Sequence, residues 1–148
     1  MDTRTRILAL FEEENQRRLD RQRSMYAQDL PLWQRYERAC DFLEDDLDSG
    51  YVRVLQEMIA AGWSNPEISD AARRLLTGWH VLLTEVAREA ERRHGPLGPF
   101  TAEEVATLVG TCFVGAEALR RIGVLIRQLE EGPTARGRTE DAGAPAGS

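Results

Sequence analysis

An all-α domain of five helices is what this sequence predicts, and three observations carry that reading. Apolar residues recur at three- and four-residue spacings through most of residues 3–129. The breaks between these periodic segments, at Asp29-Leu30-Pro31, Ser49-Gly50, Gly62-Trp63 and His94–Pro99, carry proline, glycine and capping residues. No segment alternates apolar and polar residues well enough to read as a strand. A chain of 148 residues is long enough to bury about 68–70% of its unfolded surface in one domain, expected here over residues 1–131.

The first helix is expected over Thr3–Gln28. Leu8, Phe11, Leu19 and Tyr26 form a thin apolar stripe, interrupted by Asn15 and Gln22. The remainder is charged: Glu12-Glu13-Glu14, then Arg17, Arg18, Arg21 and Arg23. Such a basic run can touch phosphate, but the expectation is a solvated face with i,i+4 pairs, Glu13–Arg17 and Glu14–Arg18. Pro31 suits the first turn of a second helix, Pro31–Leu47, in which Trp33, Tyr36, Cys40, Leu43 and Leu47 follow a 3–4 spacing. Glu44, Asp45, Asp46 and Asp48 crowd its C-terminal end, where the helix dipole disfavours negative charge. They lack the glycine and alternating oxygens of a calcium loop and read as a solvated acidic end. The third helix, Tyr51–Ala61, is short and mostly apolar, with Gly62 expected to end it in a left-handed conformation.

The fourth segment, Asn65–His94, organises the chain. Ser64 or Asn65 can cap it, Pro66 fits its first turn, Glu67 and Asp70 lie at its positive end, and Arg92, Arg93 and His94 close it. At the α-helical rise it is a rod of about 45 Å. Ile68, Ala72, Leu75, Trp79, Leu82, Leu83, Val86 and Ala90 fall on one side. Ala71, Leu76 and Ala87 widen that side to roughly 160°, more than an ordinary surface helix shows, so the rod should pack against two partners at once. Thr101 and Glu104 have the spacing of a capping box and start the last helix, Thr101–Leu129. That helix is apolar almost all round. Gly110, Gly115 and Gly123, each costly inside a helix, suggest close approach by another backbone. Residues 132–148 are rich in Gly, Pro, Ala and Ser without periodicity and read as a disordered tail.

The net charge is −6, which argues against a large basic surface for nucleic acid. All the basic residues are arginine, as GC-rich codon usage would give. No secretory signal is present, and the longest uncharged run, Val105–Ala116, is too short to span a bilayer. Cys40 and Cys112 belong to no metal or redox motif and read as thiols in a reducing compartment. A soluble, cytoplasmic protein with no membrane contact, cofactor or metal is expected. Enzymatic signals are weak: His80 and His94 are the only histidines and neither starts a zinc motif, and neither a phosphate loop nor a nucleophile elbow is present. No catalytic residue is assigned, and the chain is not read as an enzyme. Trp33, Tyr36, Cys40, Tyr51, Met58, Trp79 and Phe113 are a soft, aromatic set that either fills a core or lines an apolar cavity, with Tyr36, His80 and Thr84 as its polar groups.

The order of these features resembles the C-terminal regulatory domain of the TetR family of bacterial transcriptional repressors. The resemblance lies in Leu8–Glu13, Ser49–Met58, Asn65-Pro66-Glu67-Ile68, Trp79, Thr101–Ala106 and Gly115–Leu119, and covers about Thr5 to Leu129. It implies that the last two long helices pair with a second copy as a four-helix dimer interface, while a triangle of earlier helices encloses a pocket for a small-molecule effector. The expected homodimer surface is Leu75, Leu82, Val86, Val109, Cys112, Phe113, Ala116 and Leu119. The expected pocket, for a mainly apolar effector, is Trp33, Tyr36, Cys40, Leu55, Met58, Trp79, His80, Leu83 and Thr84. The family's helix-turn-helix head does not lie within these residues, and the chain alone is expected not to bind DNA. Two readings follow: the sensing and dimerisation half of a regulator, or a headless interaction protein that forms mixed dimers with a full-length relative and blocks its DNA binding.

Overall fold

The computed structural model describes residues 2–130, apart from the side chains of Arg121 and residues 124–130. The domain is all-α, with five helices: α1 Thr3–Tyr26, α2 Leu32–Asp48, α3 Tyr51–Gly62, α4 Pro66–His94 and α5 Ala102–Glu130. No strand occurs among the described residues. The tail expected over residues 132–148 lies outside them.

Local chemistry explains the helix boundaries. The Asp2 carboxylate accepts from the Thr5 amide at 2.8 Å and caps α1. Asn65 caps α4 by accepting from the amides of Glu67 and Ile68, with Pro66 in the first turn. The capping box of α5 is complete: the Thr101 amide donates to Glu104 Oε2 at 2.8 Å, and the Glu104 amide donates to Thr101 Oγ1 at 3.2 Å. Gly50 carries the left-handed turn between α2 and α3, at φ 78°.

Gly62, expected to be left-handed, is instead the last residue of α3. It serves a close crossing. A Cβ built on Gly62 would stand 3.0 Å from Ser69 Cα and 3.2 Å from Ser69 N. A side chain at this position would crowd the start of α4, whose backbone would have to give by a few tenths of an ångström.

The rod α4 packs on α3 and on α1, while α2 packs on α3 and touches α1. Leu55, Met58, Ala71 and Leu75 form the buried core at the α3–α4 contact, flanked by Leu8, Phe11, Ile59 and Ile68. The two-sided apolar face of α4 is thus covered from both sides by its own chain, by α1 and α3. Leu75 and Leu82, expected to face a second copy, are almost fully buried in the chain, which corrects that expectation.

Within α5 the chain divides into a body that ends at Val114 and a unit that begins at Gly115. In the body, α5 meets α4 through long side chains. Trp79 and Phe113 stack at 6.1 Å, His80 Nε2 lies 3.2 Å from Thr107 Oγ1, and Arg88 pairs with Glu103. Leu83 reaches toward Gly110, where an added Cβ would meet its Cδ1 at 3.8 Å. Gly110 is therefore at ordinary contact distance, and an added Cβ at Gly115 or Gly123 meets nothing within 4 Å. The close approach expected at Gly110 is not made within the body.

The α3–α4 crossing predicts the response to Gly62→Ala. Alanine favours a helix over glycine by about 1 kcal/mol, but the backbone of Ser69 has to move to admit the methyl group. A net loss of about 1–3 kcal/mol, the usual cost of overpacking, is expected in urea unfolding monitored by circular dichroism.

Candidate functional site

The polar residues that interrupt the apolar stripe of α1 are interior. Asn15 and Gln22 are both buried. Asn15 Oδ1 accepts from the Tyr51 hydroxyl of α3 and, at 2.8 Å, from Trp79 Nε1 of α4. Trp79 Nε1 also lies 3.3 Å from the Tyr51 hydroxyl. One carboxamide oxygen thereby ties three helices. The Tyr51 ring is held on two sides, stacked on Phe11 at 5.1 Å and with the Arg18 guanidinium 4.5 Å from its centroid. Burial, first among its causes, pushes the Tyr51 phenol up to about 12, against the opposing hydrogen bond from Trp79.

Beside this junction Arg18 joins α1 to the end of α2. It pairs with Asp46, bonds Glu14 Oε1 at 2.9 Å, and lies 3.7 Å from Asp45 Oδ2. Asp46 is 0% exposed, so the acidic end of α2 is not wholly solvated as expected. The i,i+4 pair Glu14–Arg18 forms, whereas Arg17 pairs with Glu14 at 3.1 Å, one residue nearer than the expected Glu13. Asp46 Oδ2 has no hydrogen-bond partner among the described residues. Burial raises the Asp46 carboxyl above the usual aspartate range, and Arg18 only partly offsets it.

The nine residues expected to form an effector pocket are spread over different environments. Trp33 and Tyr36 are 60% and 71% exposed on α2. Cys40 is half-buried. Leu55 and Met58 belong to the core. Trp79 is tied to Asn15, and Leu83 is half-buried beside Gly110. Thr84 is buried and donates to the His80 carbonyl at 2.8 Å, so its hydroxyl serves its own helix. His80 is exposed and lines an open groove of about 540 Å³ between the end of α3 and the outer side of α4. The other walls of the groove are Ile59, Gly62, Trp63, Ser69, Ala72, Arg73, Leu76 and Thr77. Trp63, which sequence reading placed only in a connection, is 89% exposed there. Its isolated position just after a glycine was the one available signal.

Of the expected dimer surface, Val86 and Phe113 are half-buried in the body, while Val109 and Cys112 are exposed on α5. Leu108, beside them, is 51% exposed. In the unit that begins at Gly115, Ala116 is half-buried and Leu119 is 70% exposed. Among the described residues no group of three His, Cys, Asp or Glu is placed to hold a metal ion, and no helix is long and apolar enough to cross a membrane. No family model, curated protein or solved structure matches the chain.

Two predictions follow from the buried junction. Tyr51→Phe removes a donor from buried Asn15 and an acceptor from Trp79, and should cost about 1–3 kcal/mol in urea unfolding. The raised Asp46 carboxyl stabilises the fold fully only below its unfolded value, and that stability is lost as pH rises through its folded value. Asp46→Asn keeps an oxygen for Arg18 and removes this dependence. The variant should therefore gain stability relative to the parent as pH rises from about 4 toward neutrality; an unchanged difference across that range would contradict the assignment.

Proposed function

We propose that the chain is the dimerisation and effector-sensing domain of a TetR-like transcriptional regulator. One observation carries the reading: Leu108, Val109 and Cys112 stand exposed on α5, an apolar group one helical turn long. A helix that leaves such a group in water is suited to meeting a second copy. The interface proposed here is centred on Leu108, Val109 and Cys112 of α5, without Leu75 and Leu82.

The sensing half of the reading moves from the nine dispersed residues to the groove beside Trp63 and His80. The effector is a mainly apolar small molecule, and contact with DNA belongs to a helix-turn-helix head that these residues do not include. Effector binding would act by favouring one arrangement of the two copies over another.

Light scattering at micromolar concentration should give twice the mass of the 16.7 kDa chain. Leu108→Arg, at an exposed position, should shift the population to monomer without lowering the monomer's helix content. Cys112 supplies a second readout: a bifunctional thiol reagent should link two copies in the parent protein and fail to do so in Leu108→Arg. A monomer in both proteins would refute the dimer.

A further inference from the structure

The groove between α3 and α4 has a chemical bias that the chain as a whole does not share. The chain carries 25 acidic and 19 basic residues. Yet the groove's two ionisable wall residues, Arg73 and His80, are both basic. Its hydroxyls come from Ser69 and Thr77, and its apolar walls include Trp63 and Leu76. We propose that this groove binds a planar aromatic carboxylate, its ring against Trp63 and its acid group between Arg73 and His80.

Each part of that assignment has its own support. The volume, about 540 Å³, is in the range of small-molecule sites. The Trp63 ring is 89% exposed, and a flat ring recovers more from stacking on an open indole face than an aliphatic chain does. Arg73 is engaged by Asp70 at 3.3 Å in a pair whose side chains are 73% and 60% exposed. A solvated pair of this kind is weak and exchanges readily for a ligand carboxylate. The histidine is already oriented. Thr107 Oγ1 donates to the Glu103 carbonyl at 2.9 Å and so accepts from His80 Nε2. His80 Nδ1 is left for the ligand, as the donor when the ring is protonated. Gly62 and Ser69, whose backbones approach closely, both lie in its wall. The inference rests on the sensing reading for its regulatory meaning, but not for the binding itself.

The test uses the full chain with 2-naphthoate and its neutral counterpart 2-naphthamide, followed by the NMR shift of the Trp63 indole N–H. That resonance is assigned by its loss in Trp63→Ala. Both Trp63→Ala and Arg73→Gln alter exposed side chains, and their melting curves report whether the fold is kept. The expected result is saturable binding of 2-naphthoate that shifts the Trp63 signal. The amide, Arg73→Gln and Trp63→Ala should each weaken binding by about tenfold, Trp63→Ala being read from shifts of backbone amides around the groove. Equal binding of acid and amide, or no loss in Arg73→Gln, overturns the carboxylate assignment while leaving an apolar effector in place. Binding of neither probe overturns the site. If Trp63→Ala instead converts a dimer to a monomer, the groove belongs to the subunit contact and the proposal fails.

Discussion

The carboxamide oxygen of Asn15 is the point on which the body of this domain depends. It accepts from α3 through Tyr51 and from α4 through Trp79, while Asn15 itself sits on α1. Apolar packing alone brings helices together without selecting their rotation about their own axes. A buried acceptor with two lone pairs does select it, since any other rotation strands the acceptor and both donors at once. Arg18 extends the same constraint to α2, placing its guanidinium over the Tyr51 ring while pairing with Asp46. The four helices of the body's first part are thus registered by directional bonds within a core that is otherwise apolar.

That register also sets what remains outside. With α1 and α3 covering two sides of α4, the outer side of α4 beside α3 becomes a groove, and α5 is met mainly through long side chains from α4. The apolar residues of α5 at Leu108, Val109 and Cys112 are left exposed. Both candidate functional surfaces therefore follow from the same internal arrangement.

The helices were legible in the sequence because caps and periodicity are local properties. Asp2, Asn65, Thr101 and Glu104 act within a turn of their own position. The interior polar residues were harder to read, since a buried Asn15 and a solvated Asn15 look alike until the donors from α3 and α4 are known. The heptad-like placement of Asn15 and Gln22 among Leu8, Leu19 and Tyr26 was the available signal, and it reads as interruption only if polar residues are assumed to face water. Asp46 reads as solvated for the same reason: its partner Arg18 is 28 residues away. The expected pocket failed to assemble because residue type does not distinguish an aromatic that packs, such as Trp79, from one left in solvent, such as Trp33.

The crossing of Gly62 against Ser69 has a mechanical consequence. Two backbones in contact have no intervening side chain whose rotamers could absorb a change of angle. The α3–α4 pair is therefore a single stiff lever with its elbow at Trp63. Its junction with α1 is built differently, from side chains: the bonds to Asn15, the ion pairs Arg74–Glu12 and Arg23–Glu85, and the apolar contacts of Leu8, Phe11 and Leu19. A change of angle at the elbow would therefore carry the end of α3 and the start of α4 together.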